Sequence, residues 1–417
     1  MSAAIYLGID LGTSGVRGSA IDLQGKELAT ARLPLPPIQQ PADWKQAAFN
    51  VITRLCEQVE PEHIRAIAID GTSATVMLCD RNGEPCSAAL MYNDQSCTAE
   101  AGTIAQIAPE DSAARGASSS LAKALFLLRH KPDAAHICHQ ADWIAGLLCR
   151  RFAFSDENNC LKLGYDPVGR EWPEWLSQLG IDSALLPQVY EPGTAIATVD
   201  ATVAGELGLP ADCSIAAGTT DSIAAFIATG AGKTGEAVTS LGSTLVLKLV
   251  SDKPVFCSQL GVYSHRLGDT WLAGGASNSG GQVLLKYFDT ARLQQMTALL
   301  QPGTPTGLDY YPLARPGERF PRNDPEQQPR LEPRPDNDVQ FFQAMLEGIA
   351  EIEAEGYRTL SRLGAPALTK VFTAGGGSSN PAWRKIREHK LGVPVVIAEH
   401  SEASYGAALL ARRAHND

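Results

Sequence analysis

The residues best suited to chemistry in this chain stand at the ends of apolar runs. YLGIDLGTSG (6–15) ends in a turn of Gly12, Thr13, Ser14 and Gly15, with Asp10 just ahead of it. A similar turn lies in TSLGSTLVLK (239–248): Gly242, Ser243 and Thr244 follow an apolar run, with Leu241 where an acid would stand. A Gly/Ser/Thr turn at a strand end presents several backbone N–H groups with little side chain in the way, and such a nest attracts anions. A third turn, AGGGSSN (374–380), carries Gly375, Gly376 and Gly377, over which a nucleoside could lie flat. Asp10 beside an anion nest would repel phosphate unless a cation intervenes, so its expected role is to hold Mg²⁺.

A fourth feature is Asp221 in AAGTTDSIAAF, just before an apolar helical segment. An Asp there serves either as an N-cap or as a general base that accepts the proton of an attacking hydroxyl. Two nests, a metal carboxylate and a base make the inventory of a phosphoryl-transfer enzyme. No GxxxxGK[ST] occurs, and the one GxGxxG spacing, Gly230 to Gly235, joins a helical segment to the second sheet rather than a strand to a helix, so neither a P-loop nor a dinucleotide site is expected.

These residues need elements to place them. IYLGID and the segment 16–35 read as a hairpin or meander starting at residue 5, followed by a helix over 43–59 with Asp43 as its cap. Residues 65–94 read as strand, turn, strand, a tight turn at Asn82-Gly83, and strand; residues 98–150 are largely helical. Residues 213–231 give a buried strand, a turn and a helix, after which a second sheet begins near residue 236. The Pro-rich stretch 312–337 reads as a long surface loop, and 339–364 as an amphipathic helix. Strand, glycine turn, helix and strand follow over 370–398, with one more helix at the end. This is an α/β chain with mixed sheets. The expected domains are 1–228 and 229–399, with the helix at 400–417 packing back on the first.

Composition narrows the partners. The chain has 417 residues, enough for two domains of ordinary size. Its formal charge of -11 argues against a nucleic-acid partner. Nine cysteines without a CxxC pair, and no secretory leader, point to a cytoplasmic protein with reduced thiols. No apolar run approaches the ~20 residues of a membrane span. His130, His136 and His139 lack a metal-ligand pattern and read as surface histidines.

GIDLGTSGVR, GTTDSIAAF, SLGST and TAGGGSSNPAW occur in the order seen in the FGGY carbohydrate kinases, and the chain resembles that family over roughly 5–410. The segments SSLAKALFLLRHKPD, ADWIAGLL, SDENNCLKLGYDPVGREW and LLPQVYEPGTAIATV are similar to family segments too. The resemblance implies two ribonuclease-H-like domains of the actin-like ATPase superfamily, with an interdomain cleft. It implies ATP and Mg²⁺ as cofactors, a small sugar as partner, and a monomer or homodimer. Carried over by position, Asp10 would help hold Mg²⁺, Gly12, Thr13, Gly242, Ser243 and Thr244 would meet phosphate, and Asp221 would be the catalytic base. Gly375, Gly376, Gly377 and Asn380 would carry the nucleoside, and Trp383 would either flank the base or pack in the core.

Two departures bear on the substrate. DGTSATV (70–76) stands where xylulokinases commonly carry Ser-Gly-Gln-Met-His-Gly, so Thr72 and Ser73 replace larger groups. MYNDQSC (91–97) keeps Asp94 of the usual Trp-x-Asp-x-Arg, as a pocket residue or a turn cap. With the short chain, these resemble the compact plant and cyanobacterial subgroup of ribulose or xylulose kinase-like proteins. The implied reaction is phosphorylation of a ketopentose, D-ribulose foremost and D-xylulose as the alternative. Asp10, Ser14, Gly15, Ser73, Asp221 and Ser222 would line the sugar site. A sensor that kept the fold without the chemistry, or a sugar-independent ATPase, are the competing readings.

Overall fold

The computed structural model describes residues 4–131 and 133–416. It divides into two compact units, Met1–Ala228 with His400–Asp417, and Thr229–Glu399. Met1, Ser2 and Ala3, where a leader was sought, and Pro132 of the SSLAKALFLLRHKPD segment lie outside the described residues.

The first unit is built on a six-stranded sheet in the order Glu27–Pro34, Gly15–Asp22, Ile5–Leu11, Ile64–Gly71, Ser214–Thr220, Ala195–Thr198. Ile5–Leu11 pairs antiparallel with Gly15–Asp22 and parallel with Ile64–Gly71, which pairs parallel with Ser214–Thr220. All seven residues of Ile5–Leu11 are buried, because both faces of the strand are covered, and its sequence is accordingly a near-continuous apolar run. Ile5, Leu7, Ile9 and Leu11 join the core beneath the helix Pro41–Cys56. Tyr6 joins a smaller core with Ala66, Ala68, Ala407 and Ala408 beneath the final helix, Ala403–Asn416. Glycine makes that second layer possible. A Cβ on Gly8 would lie 2.0 Å from the Ser404 carbonyl oxygen, and one on Gly406 would lie 1.8 Å from that of Ala224. By alternation, Asp10 and Asp70 share the face of Tyr6, Ala66 and Ala68 that the final helix covers.

The second unit repeats the plan, in the order Tyr263–Leu267, Thr270–Ser277, Leu245–Ser251, Glu236–Leu241, Lys370–Ala374, Val395–Ile397. Again an opening hairpin pairs antiparallel and its first strand pairs parallel with a later one. The helix Asp338–Arg362 supplies much of the core.

Four details differ from the sequence reading. The helix expected at 43–59 spans Pro41–Cys56, and Asp43 stands at its third position, where Oδ2 accepts the Gln40 N–H at 2.8 Å. No separate turn precedes Asp221: the strand Ser214–Thr220 leads directly into the helix Asp221–Ala228. The Pro-rich stretch is a loop only in part, because Leu313, Glu318 and Phe320 are buried. Glu318 binds Ser277, the Asn278 N–H and Tyr311, and Phe320 fits against Gly275 and Gly356. His139 is fully buried, with Nδ1 on Asp142 at 3.0 Å and Nε2 on Ser120 at 3.1 Å; adjacent sequence could not show that such partners were available. Among the described residues no helix is long and apolar enough to cross a membrane.

Candidate active site

The first hairpin closes with the pair Leu11–Val16 and leaves residues 12–15 as its loop. Gly12 N–H donates to the Gly15 carbonyl at 3.1 Å, and Thr13 and Ser14 are exposed at the tip. The tip is braced from behind. Gln39 Nε2 donates to the Thr13 carbonyl at 2.6 Å, and the buried Trp44 Nε1 donates to Gln39 Oε1 at 2.7 Å. Leu35 N–H donates to the Ser14 carbonyl at 3.1 Å. Gly15 has a packing reason, since a Cβ there would come within 2.5 Å of the Leu33 carbonyl oxygen.

A pocket of about 420 Å³ opens beside this turn. Asp10, Gly12, Thr13, Ser14, Arg17, Asp221 and Ser222 line it, together with Ser401, Glu402 and Ala403 at the start of the final helix. The structure therefore brings together the first turn, Asp10, Asp221 and Ser222, although some 210 residues separate the two acids in sequence. Asp221 is half-buried at the first position of its helix, and its Oδ1 accepts the Ser222 N–H at 2.6 Å.

Asp10 is 2% exposed. Arg17 lies directly across the hairpin from it and donates from one guanidinium nitrogen to Asp10 Oδ2 at 3.1 Å, while Oδ1 has no partner. Arg17 also stands 3.6 Å from Glu402. On the other side, Asp10 is in register with Asp70 on the parallel strand. Asp70 is fully buried, and its carboxyl has no partner other than the carboxyl of Asp10. Burial pushes the carboxyl of Asp10 above the usual carboxylate range, opposed by hydrogen bonding from Asp70 and by the charge of Arg17. Burial pushes Asp70 well above it, reinforced by the neighbouring charges of Asp10 and Asp221.

This donor set fits a hard divalent cation. Its atoms are all carboxylate oxygens, and three of them are buried with no partner outside the Asp10–Asp70 pair. Among the described residues, Glu60, Glu62 and His63 are the one group of three such side chains with ligand atoms within 4.8 Å of one another. Asp10, Asp70 and Asp221 thus form no closed cage. Mg²⁺ requires none, since one or two carboxylates, water and substrate phosphate suffice.

In the second unit the hairpin closes with the pair Leu241–Leu245 around Gly242, Ser243 and Thr244. Register corrects the sequence reading here: one step before the closing pair stands Asp10 in the first hairpin and Ser240, not Leu241, in the second. Ser240 is in parallel register with Ala374, as Asp10 is with Asp70. The Gly242 and Ser243 carbonyls accept from Gly281 and Gln282 at 2.9 and 3.2 Å. Gly375 (φ +81°) passes close to Leu241, where a Cβ would lie 2.7 Å from the carbonyl oxygen; beside Gly376 there is open space.

Other expected site residues are committed elsewhere. Trp383 is buried in the core of the second unit, and its Nε1 donates to the Leu346 carbonyl at 3.1 Å. It therefore packs, and Gly377 is the glycine that admits its ring, since a Cβ there would come within 2.7 Å of it. Asn380 caps the helix Pro381–Leu391, accepting the Trp383 N–H at 2.9 Å and donating to Thr297 at 3.2 Å. Thr72 is buried and bonded to Thr75 and Gln140. Asp94 accepts from both the N–H and the hydroxyl of Ser96, which holds its carboxyl below the usual range; it is a turn cap. Ser73 is half-buried, and neither Ser73 nor Gly15 lines the pocket.

Sequence reasoning missed Asp70, Arg17, Gln39 and Glu402. A signal for Asp70 was present, because AIDGTS (68–73) repeats the pattern of GIDLGTS, an apolar run ending in Asp and a small-residue turn. Arg17 could have been found by counting across a four-residue hairpin. Gln39 and Glu402 carried no local signal.

Residues 5–228 match the N-terminal domain, and residues 237–415 the C-terminal domain, of the FGGY family of carbohydrate kinases. The chain is 24% identical over 440 residues to a xylulose kinase of Staphylococcus epidermidis, covering 99% of this chain and 88% of that protein. It is 25% identical over 452 residues to an L-fuculokinase of Escherichia coli, covering 98% and 92%. The fold superposes on the crystal structure of a xyloylose kinase from Brucella ovis with a TM-score of 0.87 and 25% identity, covering 99% of this chain and 90% of that one.

Proposed function

The chain belongs to the FGGY family of carbohydrate kinases, and from that premise we propose that it phosphorylates a ketopentose, D-ribulose foremost, with ATP as donor. The observation that carries this reading is the pocket that joins Asp10, the first small-residue turn and Asp221.

In the proposed reaction Asp221 accepts the proton of the attacking sugar hydroxyl, the terminal O5 of the ketose. Its Oδ1 is already oriented by the Ser222 N–H, so the base needs little reorganisation. The braced N–H groups of the first turn meet the transferred phosphoryl group. Asp10 would hold Mg²⁺, which offsets negative charge on the phosphates when bound. The nucleotide is assigned to the second unit, where Gly242, Ser243 and Thr244 would meet phosphate and Gly376 leaves open backbone for the nucleoside. The nine free cysteines suit a reducing compartment such as the cytoplasm.

D-ribulose is preferred because Asp70-Gly71-Thr72-Ser73 replaces the bulkier xylulokinase segment. D-xylulose is the second reading, favoured by the xylulose kinases among the relatives. Steady-state kinetics on D-ribulose, L-ribulose, D-xylulose and glycerol separate the two. The highest kcat/KM is expected with D-ribulose; a preference for D-xylulose overturns the choice, and silence toward all four overturns the kinase reading. Asp221→Ala is expected to lower kcat by about 10²–10⁴-fold while calorimetric ATP binding survives. Normal turnover by that variant would remove Asp221 from the mechanism.

A further inference from the structure

We propose that Asp70 is the second carboxylate of the divalent-cation site, a residue-level deepening that rests on the kinase reading above. Three observations converge on it. Asp70 and Asp10 are register partners on adjacent parallel strands, so their side chains leave the sheet side by side on one face. Both oxygens of Asp70 and Oδ1 of Asp10 are buried, and apart from the contact between the two carboxyls they have no hydrogen-bond partner. The basic group at hand, Arg17, is bonded to the other oxygen of Asp10, Oδ2.

Among the described residues, the hydroxyls beside the pair are engaged elsewhere. Thr219, the cross-strand neighbour of Asp70, accepts at its hydroxyl from Asn158. Thr72 is engaged with Thr75 and Gln140. Two adjacent buried carboxylates whose free oxygens meet only each other are costly when both are ionised. A dication bound by oxygen from both removes that cost, and a pair of carboxylates is the protein contribution that Mg²⁺ ordinarily takes. The second unit supports the reading by contrast, since Ser240 and Ala374 hold the same register and offer no carboxylate.

The test uses the nucleotide-free and sugar-free protein with Mn²⁺ as probe, read by electron paramagnetic resonance of the unbound ion. Wild type is expected to bind Mn²⁺ saturably, and Asp70→Asn to weaken that binding about 10–100-fold with an unchanged circular dichroism spectrum. Equal Mn²⁺ affinity in wild type and Asp70→Asn overturns the proposal, as does the absence of saturable binding to wild type. Should Asp70→Asn fail to fold, Fe²⁺-directed oxidative cleavage of wild type decides: cuts at the ends of both strands, near residues 10 and 70, support the pair, and cuts near residue 10 alone overturn it. Because neither readout uses a ketose or ATP, it can fail while the kinase assay succeeds, and the reverse.

Discussion

The two opening hairpins share a backbone plan and part company at one register position. In the first, Asp10 stands one step before the closing pair, with Arg17 across the hairpin and Asp70 on the parallel neighbour. In the second, Ser240 stands there, with Val246 across and Ala374 alongside. Both keep a small-residue turn capable of meeting phosphate. The difference teaches that the turn and the charge are separable: one plan supplies backbone donors twice, but carboxylates once. On the proposed reading, metal and acceptor chemistry belong to the first unit, and the second is left with a neutral nest suited to an anionic nucleotide.

The contrast can be broken by exchanging the residues. Asp10→Ser, which gives the first hairpin the chemistry of the second, is expected to cost at least about 10²–10³-fold in kcat/KM, the scale of losing a preorganised electrostatic group. Ser240→Asp in that background is expected to restore nothing. Recovery of sugar phosphorylation by the double variant would show that the two hairpins are interchangeable.

Packing around the turns gives a graded second test. Gly8→Ala would drive a methyl group against the backbone of Ser404 and Ala408, and a loss of about 1–3 kcal/mol or more is expected on denaturant unfolding. Gly376→Ala meets nothing within 4 Å and is expected to remain within about 0.5 kcal/mol of wild type. Equal losses at the two sites would mean that the final helix does not lock onto the first sheet as described.

A further test concerns pH. Burial pushes Asp156 up to about 8, with the charge of Asp142 adding to the shift. Its folded pKa is raised above the ordinary ~3.9, so between those values the folded chain holds a proton that the unfolded chain releases. The stability from this group is therefore full below pH ~4 and is lost as pH rises to about 8. Asp156→Asn is expected to gain on wild type across that window in denaturant titrations, and a constant difference from pH 5 to pH 8 would contradict the assignment.

How much of this was legible in the sequence depends on the range of the interaction. The opening hairpin, the Asp10 turn and the strand–turn–helix at 370–391 were readable, because hydrogen bonds between near neighbours make them. The resemblance implies a nucleotide contact for Asn380 and leaves Trp383 open between the base and the core, because a short local pattern does not show whether a side chain is already committed. Asn380 caps a helix and Trp383 fills a core. His139 looked like a surface residue because Ser120 and Asp142 come to it only through folding.

By itself the sequence determined that there would be two small-residue turns, which acids would stand beside them, and an α/β chain of the FGGY type. Apolar periodicity and glycine placement act over a few residues and survive in any reading frame of the fold. Only the tertiary structure decided that Asp70 would lie beside Asp10, that Arg17 would reach one oxygen and not the other, and that Asp221 would open onto the same pocket. Strand order and register set those neighbours, and register is fixed by the burial of whole faces rather than by the residues that happen to meet there.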